Sequence, residues 1–292
     1  MRTMTVTVPP AQRLDDRTVV LTGASSGIGR AAAAALARLG ATVAVVGRNE
    51  ERTRQVAAET GGTAYLADFS QLSQVRELAD RLLADHPRIH VLANNAGGLL
   101  PERHVTGDGS ELTFQSNHLA PYLLTRLLLP RLVETAQDDR PGAVRIVQTS
   151  SAGNLFGDVR LDDLDAMRGP WLGGMRAYGT AKLENVLFTR ELARRLTGTG
   201  VDAFAFHPGF VASSFGGNGP VMSVMKRAAI STEQGAEPLI RLAGAPRVPA
   251  PSGNYFDRLS APGRLNRQAA DRDLARGLWE ASAERVGLSA DL

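Results

Sequence analysis

Short apolar runs, rich in valine, alternate along this chain with longer helical stretches. Thr18 to Leu21, Thr42 to Val46, Thr63 to Ala67, Arg88 to Ala93, Ala143 to Thr149 and Val201 to Phe206 read as strands, and Gly253 to Phe256 supplies a seventh. Between them lie helix-like segments: Ile28 to Leu39, built on Ala31 to Ala35 and ended by Gly40, then Glu50 to Thr60, Leu72 to Ala84, Leu112 to Thr135 and Met175 to Leu196. Pro121 and Pro130 disturb the fourth of these. The strands are apolar throughout rather than alternating, as strands buried on both faces are. The spacing predicts an α/β chain: a doubly wound parallel sheet of about seven strands with helices on both faces. Ligands of such sheets bind beyond the carboxyl ends of the strands.

A chain of 292 residues can build one sizeable core. We expect a single domain over residues 13–292, preceded by a flexible arm over 1–12 that carries Pro9 and Pro10. There is no cysteine, which excludes disulfides, thiolate metal sites and cysteine nucleophiles. Basic residues number 33 against 30 acidic, a net charge of +3, too small and too dispersed for a nucleic-acid partner. No apolar run approaches the ~20 residues that span a bilayer, and no signal peptide is evident. The expectation is a cytoplasmic protein without a membrane partner. Only Lys182 and Lys226 are lysine; every other basic residue is arginine. A lysine with a chemical reason for its place therefore stands out.

Thr22-Gly23-Ala24-Ser25-Ser26-Gly27-Ile28-Gly29 joins the first strand to the first helix. Such a turn offers amide N–H groups and a positive helix end to a pyrophosphate, and glycine lets the backbone come close. Gly23, Ser25, Ser26, Gly27, Ile28 and Gly29 are the candidate dinucleotide contacts. The second strand ends Val46-Gly47-Arg48-Asn49. No carboxylate stands there to take the ribose hydroxyls, whereas Arg48 offers a fork for a 2′-phosphate. With Asn49 beside it, this favours NADP(H) over NAD(H); the bland alternative is an ordinary surface arginine. Asp68 and Phe69 follow the third strand, where Asp68 meets adenine or simply caps a turn. Asn95, Ala96 and Gly97 follow the fourth, with small side chains that leave room for a flat cofactor.

Tyr178 and Lys182 are four residues apart, on one face of a helix. A free phenol titrates near ~10. A neighbouring ammonium lowers that value and makes the phenol a usable acid/base near neutrality. Ser150 and Ser151 follow the fifth strand, and a hydroxyl there can hold a substrate oxygen. Asn117 lies on the preceding helix. With these motifs in this order, the chain resembles the short-chain dehydrogenases/reductases, Rossmann-type enzymes, over residues 14–285. Gln115 to Leu119, Leu183 to Leu192, His207-Pro208-Gly209 and the long gap from Ser151 to Tyr178 look like the retinol-dehydrogenase and WW-domain oxidoreductase branch.

The resemblance implies that Tyr178 transfers the hydroxyl proton while Lys182 tunes it and binds the nicotinamide ribose. It implies that Ser151, rather than Ser150, orients the carbonyl, and that Asn117 holds a relay water. Pro208, Gly209 and Val211 would shape the nicotinamide pocket, with Ser213 standing where the family often has threonine. Segments of about 154–174 and 210–230 would cover the substrate. The first carries Leu155, Phe156, Trp171 and Leu172, and the second Phe215, Met222 and Met225 behind Gly216 to Pro220. Their apolar residues suit a bulky apolar small molecule, although plain surface packing explains them equally. The expected activity is an NADP(H)-dependent carbonyl/alcohol oxidoreductase. An epimerising or dehydrating enzyme, and a non-catalytic NADP-binding regulator, are the alternatives. Relatives dimerise through long helices like 112–135 and 175–196, leaving a homodimer and a homotetramer both open.

Overall fold

The structure, a computed structural model, describes residues 5–211 and 229–292. The strands are β1 Val6–Thr7, β2 Thr18–Thr22, β3 Thr42–Gly47, β4 Thr63–Leu66, β5 Val91–Asn94, β6 Val144–Thr149, β7 Val201–His207, β8 Tyr255–Asp257 and β9 Ser260–Ala261. The helices are α1 Gly27–Arg38, α2 Glu50–Thr60, α3 Leu72–Asp85, α4 Leu112–Phe114, α5 Ala120–Gln137, α6 Met175–Arg195, α7 Thr232–Gly244 and α8 Arg272–Arg285. Together the strands form one sheet in the order β1-β9-β8-β7-β6-β5-β2-β3-β4. From β4 to β8 every pairing is parallel. The seven expected strands are therefore all present, and the full count among the described residues is nine.

The two additional strands are short antiparallel edge pieces. β1 pairs with β9, Val6 opposite Ala261. Val8 is fully buried, and its N–H donates to the Leu259 carbonyl at 3.0 Å. Residues 5–8 are thus pinned to the sheet edge rather than free as an arm. The pattern there was too short to register as a strand.

Side chains alternate across the sheet even though both faces are buried. Val19, Leu21, Val43 and Val45 pack with α1, α2 and α7. Val20, Ala44, Val46 and Leu92 pack with α3, α5, α6 and α8. Trp279 of α8 is nearly fully enclosed in this second core.

The expected helix from 112 to 135 is broken. After α4, residues Gln115–Leu119 form a π-turn before α5 begins. Pro121 has no N–H and cannot donate to the Asn117 carbonyl four residues back, so the ordinary α ladder cannot close there. The Ala120 N–H instead reaches the Gln115 carbonyl. Helices α7 and α8 were not anticipated. Their start signals are legible in retrospect: Ser231 and Gln234 make a reciprocal capping box, and Asp271 caps α8.

Candidate active site

The turn after β2 brings α1 hard against the sheet. A Cβ on Gly29 would lie 2.2 Å from the Gly23 carbonyl oxygen, so no larger residue fits. Ser26 starts α1 with extended backbone and gives it no side-chain cap. The first-turn N–H groups of α1 are left for an anion. Ser25 lies beside Gly47 at the end of β3, its Oγ 3.2 Å from where a Gly47 Cβ would stand. The turn and Arg48 are thereby neighbours. Arg48 is exposed and pairs with none of the described residues, whereas Asn49 is occupied, its Oδ1 accepting from the Arg52 N–H to cap α2.

Asp68 makes a turn, accepting from the Ser70 N–H at 2.9 Å, and Phe69 is buried in the core. Phe69 therefore offers backbone rather than a ring to a ligand. Asn95 is a tie. Its Nδ2 donates to the Thr22 carbonyl at 3.0 Å, and its Oδ1 accepts from the Thr149 hydroxyl at 3.3 Å. The Thr22 hydroxyl accepts from the N–H groups of both Asn95 and Ala96 at 3.0 Å. Thr22 is thus a further organiser of the site, silent in the sequence because a strand-end threonine has no distinctive pattern.

Gly97 brings the reacting groups together. A Cβ there would lie 2.4 Å from Asn117 Oδ1 and 3.1 Å from Lys182 Nζ. Asn117 is fully buried; its Oδ1 accepts from the Gly98 N–H and its Nδ2 donates to the Gly98 carbonyl, both at 3.0 Å. Lys182 Nζ donates to the Thr149 carbonyl at 3.2 Å and sits 5.4 Å from the centre of the Tyr178 ring. Ser150 is spent on structure, donating to the Lys182 carbonyl at 2.7 Å. Ser151 is half-buried, accepts from the Gly153 N–H at 3.1 Å and hydrogen-bonds Tyr178. Of the adjacent serines, Ser150 is thus bound to the backbone of the helix and Ser151 stands beside Tyr178.

The protonation states differ from the simple expectation. Burial pushes the Tyr178 phenol up to about 12, and only the Ser151 hydrogen bond opposes it. Burial also brings Lys182 down to about 8. Desolvation of both groups outweighs any pull of the ammonium on the phenol. Tyr178 therefore holds its proton firmly, which suits an acid that gives a proton to a developing alkoxide.

Pro208 is buried after β7, and Val211 bridges to Ile230. Gly209 lies in the left-handed region at φ 98°. Ser213, Phe215, Met222 and Met225, with Gly216 to Pro220, lie outside the described residues. In the first covering segment, Phe156 is 79% exposed and Leu172 66%. Trp171 donates its Nε1–H to the Pro101 carbonyl at 2.8 Å and stacks under Arg103.

Comparison with known proteins agrees with this geometry. The short chain dehydrogenase family model matches residues 17–161. A Streptomyces sp. (strain C5) protein named as a daunorubicin C-13 ketoreductase is 43% identical over 97% of this chain and 99% of its own length. Retinol dehydrogenase 12 of Mus musculus is 37% identical over 94% of this chain and 88% of its own. Among solved structures, an uncharacterized protein from Mycobacterium paratuberculosis superposes with TM-score 0.77 at 30% identity, covering 99% of this chain and all of its own. The Pseudomonas aeruginosa RhlG/NADP active-site complex superposes with TM-score 0.67 at 25% identity, covering 85% of this chain and 97% of its own. With the glycine turn, the buried Asn117 and the Ser151–Tyr178–Lys182 cluster gathered beyond the carboxyl ends of the central strands β2, β5 and β6, this chain belongs to the short-chain dehydrogenase/reductase family, in its retinol-dehydrogenase branch.

Proposed function

We propose that this oxidoreductase of carbonyl and alcohol groups is an NADPH-dependent ketone reductase for a bulky apolar small molecule, with Tyr178 as the proton donor. The observation that carries the reading is the meeting of Asn117 and Lys182 at Gly97, with Tyr178 beside Lys182 and hydrogen-bonded to Ser151. The residues of the glycine turn fit a dinucleotide, because the Gly23–Gly29 approach leaves no room for side chains and the α1 N–H groups lack a side-chain cap. When bound, the reduced nicotinamide supplies the hydride. Ser151 donates its hydroxyl hydrogen to the substrate oxygen as charge builds there. Tyr178 then gives up its proton to that oxygen. Lys182, buried and held by the Thr149 carbonyl, stabilises the phenolate that remains. Asn117 fixes the loop over Lys182 through Gly98.

The preference for the phosphorylated cofactor rests on Arg48, the exposed cation beside the glycine turn. The NADP-complexed structural neighbour supports the same cofactor, and the ketoreductase relative supports a ketone as the substrate group. The apolar substrate is supported by the exposed Phe156 and Leu172, which follow the serine and precede the tyrosine. Among the described residues no helix is long and apolar enough to cross a membrane. We place the enzyme in the cytoplasm with a small molecule, not nucleic acid or lipid, as its partner; a homodimer through its long helices is the assembly the family suggests.

Initial rates of a panel of ketones with NADPH and with NADH test this reading. Wild type should consume NADPH with a ketone and prefer it to NADH. Tyr178→Phe should lose at least about 10²-fold in kcat while still binding NADPH. A clear preference for NADH, or retained turnover in Tyr178→Phe, overturns the corresponding part.

A further inference from the structure

Asn154 is fully buried one turn after Ser151, and its carboxamide is engaged at both ends. Its Nδ2 donates to the Ser151 carbonyl at 2.8 Å and to the Tyr255 hydroxyl at 3.2 Å. Its Oδ1 accepts from the Asn266 N–H at 3.2 Å. We propose that Asn154 is a positioning residue for carbonyl reduction: it locks the Ser151 turn onto the C-terminal segment that carries Tyr255 and Asn266. The proposal rests on the reductase reading above.

The need for such a lock follows from the local structure. Ser151 caps a single 3₁₀ turn, Ala152–Phe156, and such short turns are weakly held by their own hydrogen bonds. On its amino-terminal side the serine is anchored by the sheet, where the Ser150 N–H donates to the Phe206 carbonyl at 2.8 Å. On the other side, two donors from Asn154, its backbone N–H at 3.0 Å and its side chain, meet the Ser151 carbonyl. The anchor then extends outward. Asn266 Nδ2 donates to the carbonyls of Leu155 at 3.3 Å and Gly157 at 2.8 Å. Gln268 brackets Val159, accepting from its N–H and donating to its carbonyl, both at 3.0 Å. The turn after the serine is therefore laced, residue by residue, to a segment more than a hundred positions away.

The same turn packs on the catalytic helix with nothing between them. A Cβ on Gly179 would lie 2.8 Å from the Gly153 carbonyl oxygen, and one on Gly153 would lie 3.4 Å from Tyr178 Cε1. A shift of the turn therefore moves Ser151 relative to the Tyr178 hydroxyl, and small displacements of reacting groups carry large kinetic costs. The chemistry also selects an amide. A carboxylate at 154 could still accept from Asn266, but it would place an acceptor against the Ser151 carbonyl, which would keep only the backbone N–H of residue 154 as its donor.

The test compares Asn154→Ala, Asn154→Asp and wild type in full-length protein. Steady-state reduction of one ketone, NADPH affinity by fluorescence, thermal unfolding, and hydrogen exchange over residues 151–159 are measured together. Both variants should lose about 10–100-fold in kcat, with NADPH affinity held within about twofold and the fold intact at the assay temperature. Exchange across 151–159 should quicken while the rest of the sheet stays protected. A merely structural role predicts a lower unfolding temperature with unchanged kcat in the folded protein, and that result overturns the proposal. So does unchanged exchange over 151–159. A wild type silent with every ketone overturns the reductase reading instead, and the exchange comparison still decides whether Asn154 holds the turn.

Discussion

Glu184 sits two residues beyond Lys182 and is fully buried, with neither carboxyl oxygen meeting a hydrogen-bond partner among the described residues. Burial first, then the neighbouring Asp165 and Glu111, holds its pKa well above the ordinary carboxylate value. A neutral carboxyl on the catalytic helix is the consequence, since an unpaired buried charge would cost far more. Its effect on stability has a definite sign. The folded state binds the proton more firmly than the unfolded one, so the contribution is complete below about pH 4 and is lost as pH rises toward the folded value. Glu111, also raised by burial, acts in the same direction and is common to both proteins compared. Glu184→Gln, neutral throughout, should match wild type near pH 4 and become progressively more stable than it toward pH 8. Denaturant unfolding across that range measures this, and parallel profiles would remove Glu184 from the account. The sequence shows nothing of the kind: a glutamate in a helix is ordinarily solvated, and only the packing of α4 and the 158–166 segment around it reveals the burial. Tyr178, Lys182, Ser151 and the glycine turn were legible because their chemistry demands fixed residue types at fixed spacings. Asn154 and Thr22 were not, because their value lies in partners far away in the chain.

At the scale of elements, the parallel sheet was readable since doubly buried strands need uninterrupted apolar runs, as Thr18 to Leu21 and Val201 to Phe206 show. What escaped were pieces whose reason is tertiary: β1 and β9 exist because they pair with one another. The π-turn at Gln115–Leu119 lies between these cases. Pro121 announces a disturbance in the sequence, but not its form, a wider turn that carries Asn117 toward Gly98. If the missing N–H of Pro121 is what keeps the α ladder open, Pro121→Ala restores a donor for the Asn117 carbonyl. The variant should then unfold at the same temperature or a higher one, yet lose about tenfold or more in kcat as Asn117 leaves its place over Lys182. Thermal unfolding and kcat measured side by side check it. Wild-type turnover in this variant would show that the surrounding core, not the proline, imposes the π-turn.

Over the whole molecule, the near-absence of lysine acquires a structural meaning in addition to the catalytic one. Arginines fasten the chain by donating to backbone carbonyls at its seams: Arg131 to His86, Arg145 to Leu242, Arg190 to Ala269 and Arg241 to Val8. The C-terminus is the clearest case. Trp279 of α8 lies between Arg126 of α5, 4.9 Å from its ring centre, and Arg195 of α6, 4.6 Å away. Its Nε1–H donates to the Ala290 carbonyl at 2.7 Å, Arg195 donates to the same carbonyl at 2.8 Å, and Arg126 reaches Ser289 at 3.0 Å. The tail thereby straps α5, which follows the π-turn of Asn117, to α6, which carries the Tyr178–Lys182 pair. A planar guanidinium can stack on the indole and donate sideways at once, whereas an ammonium cannot. Arg195→Lys keeps the charge and should still cost about 1–2 kcal/mol through the lost stacking and carbonyl bond. Arg54→Lys, at an exposed pair with Glu50, should stay within about 0.5 kcal/mol of wild type. Urea unfolding midpoints of the two variants decide the matter. Equal effects would mean that charge alone matters at the seams, whereas a loss confined to Arg195→Lys would mean that this fold depends on the geometry of arginine.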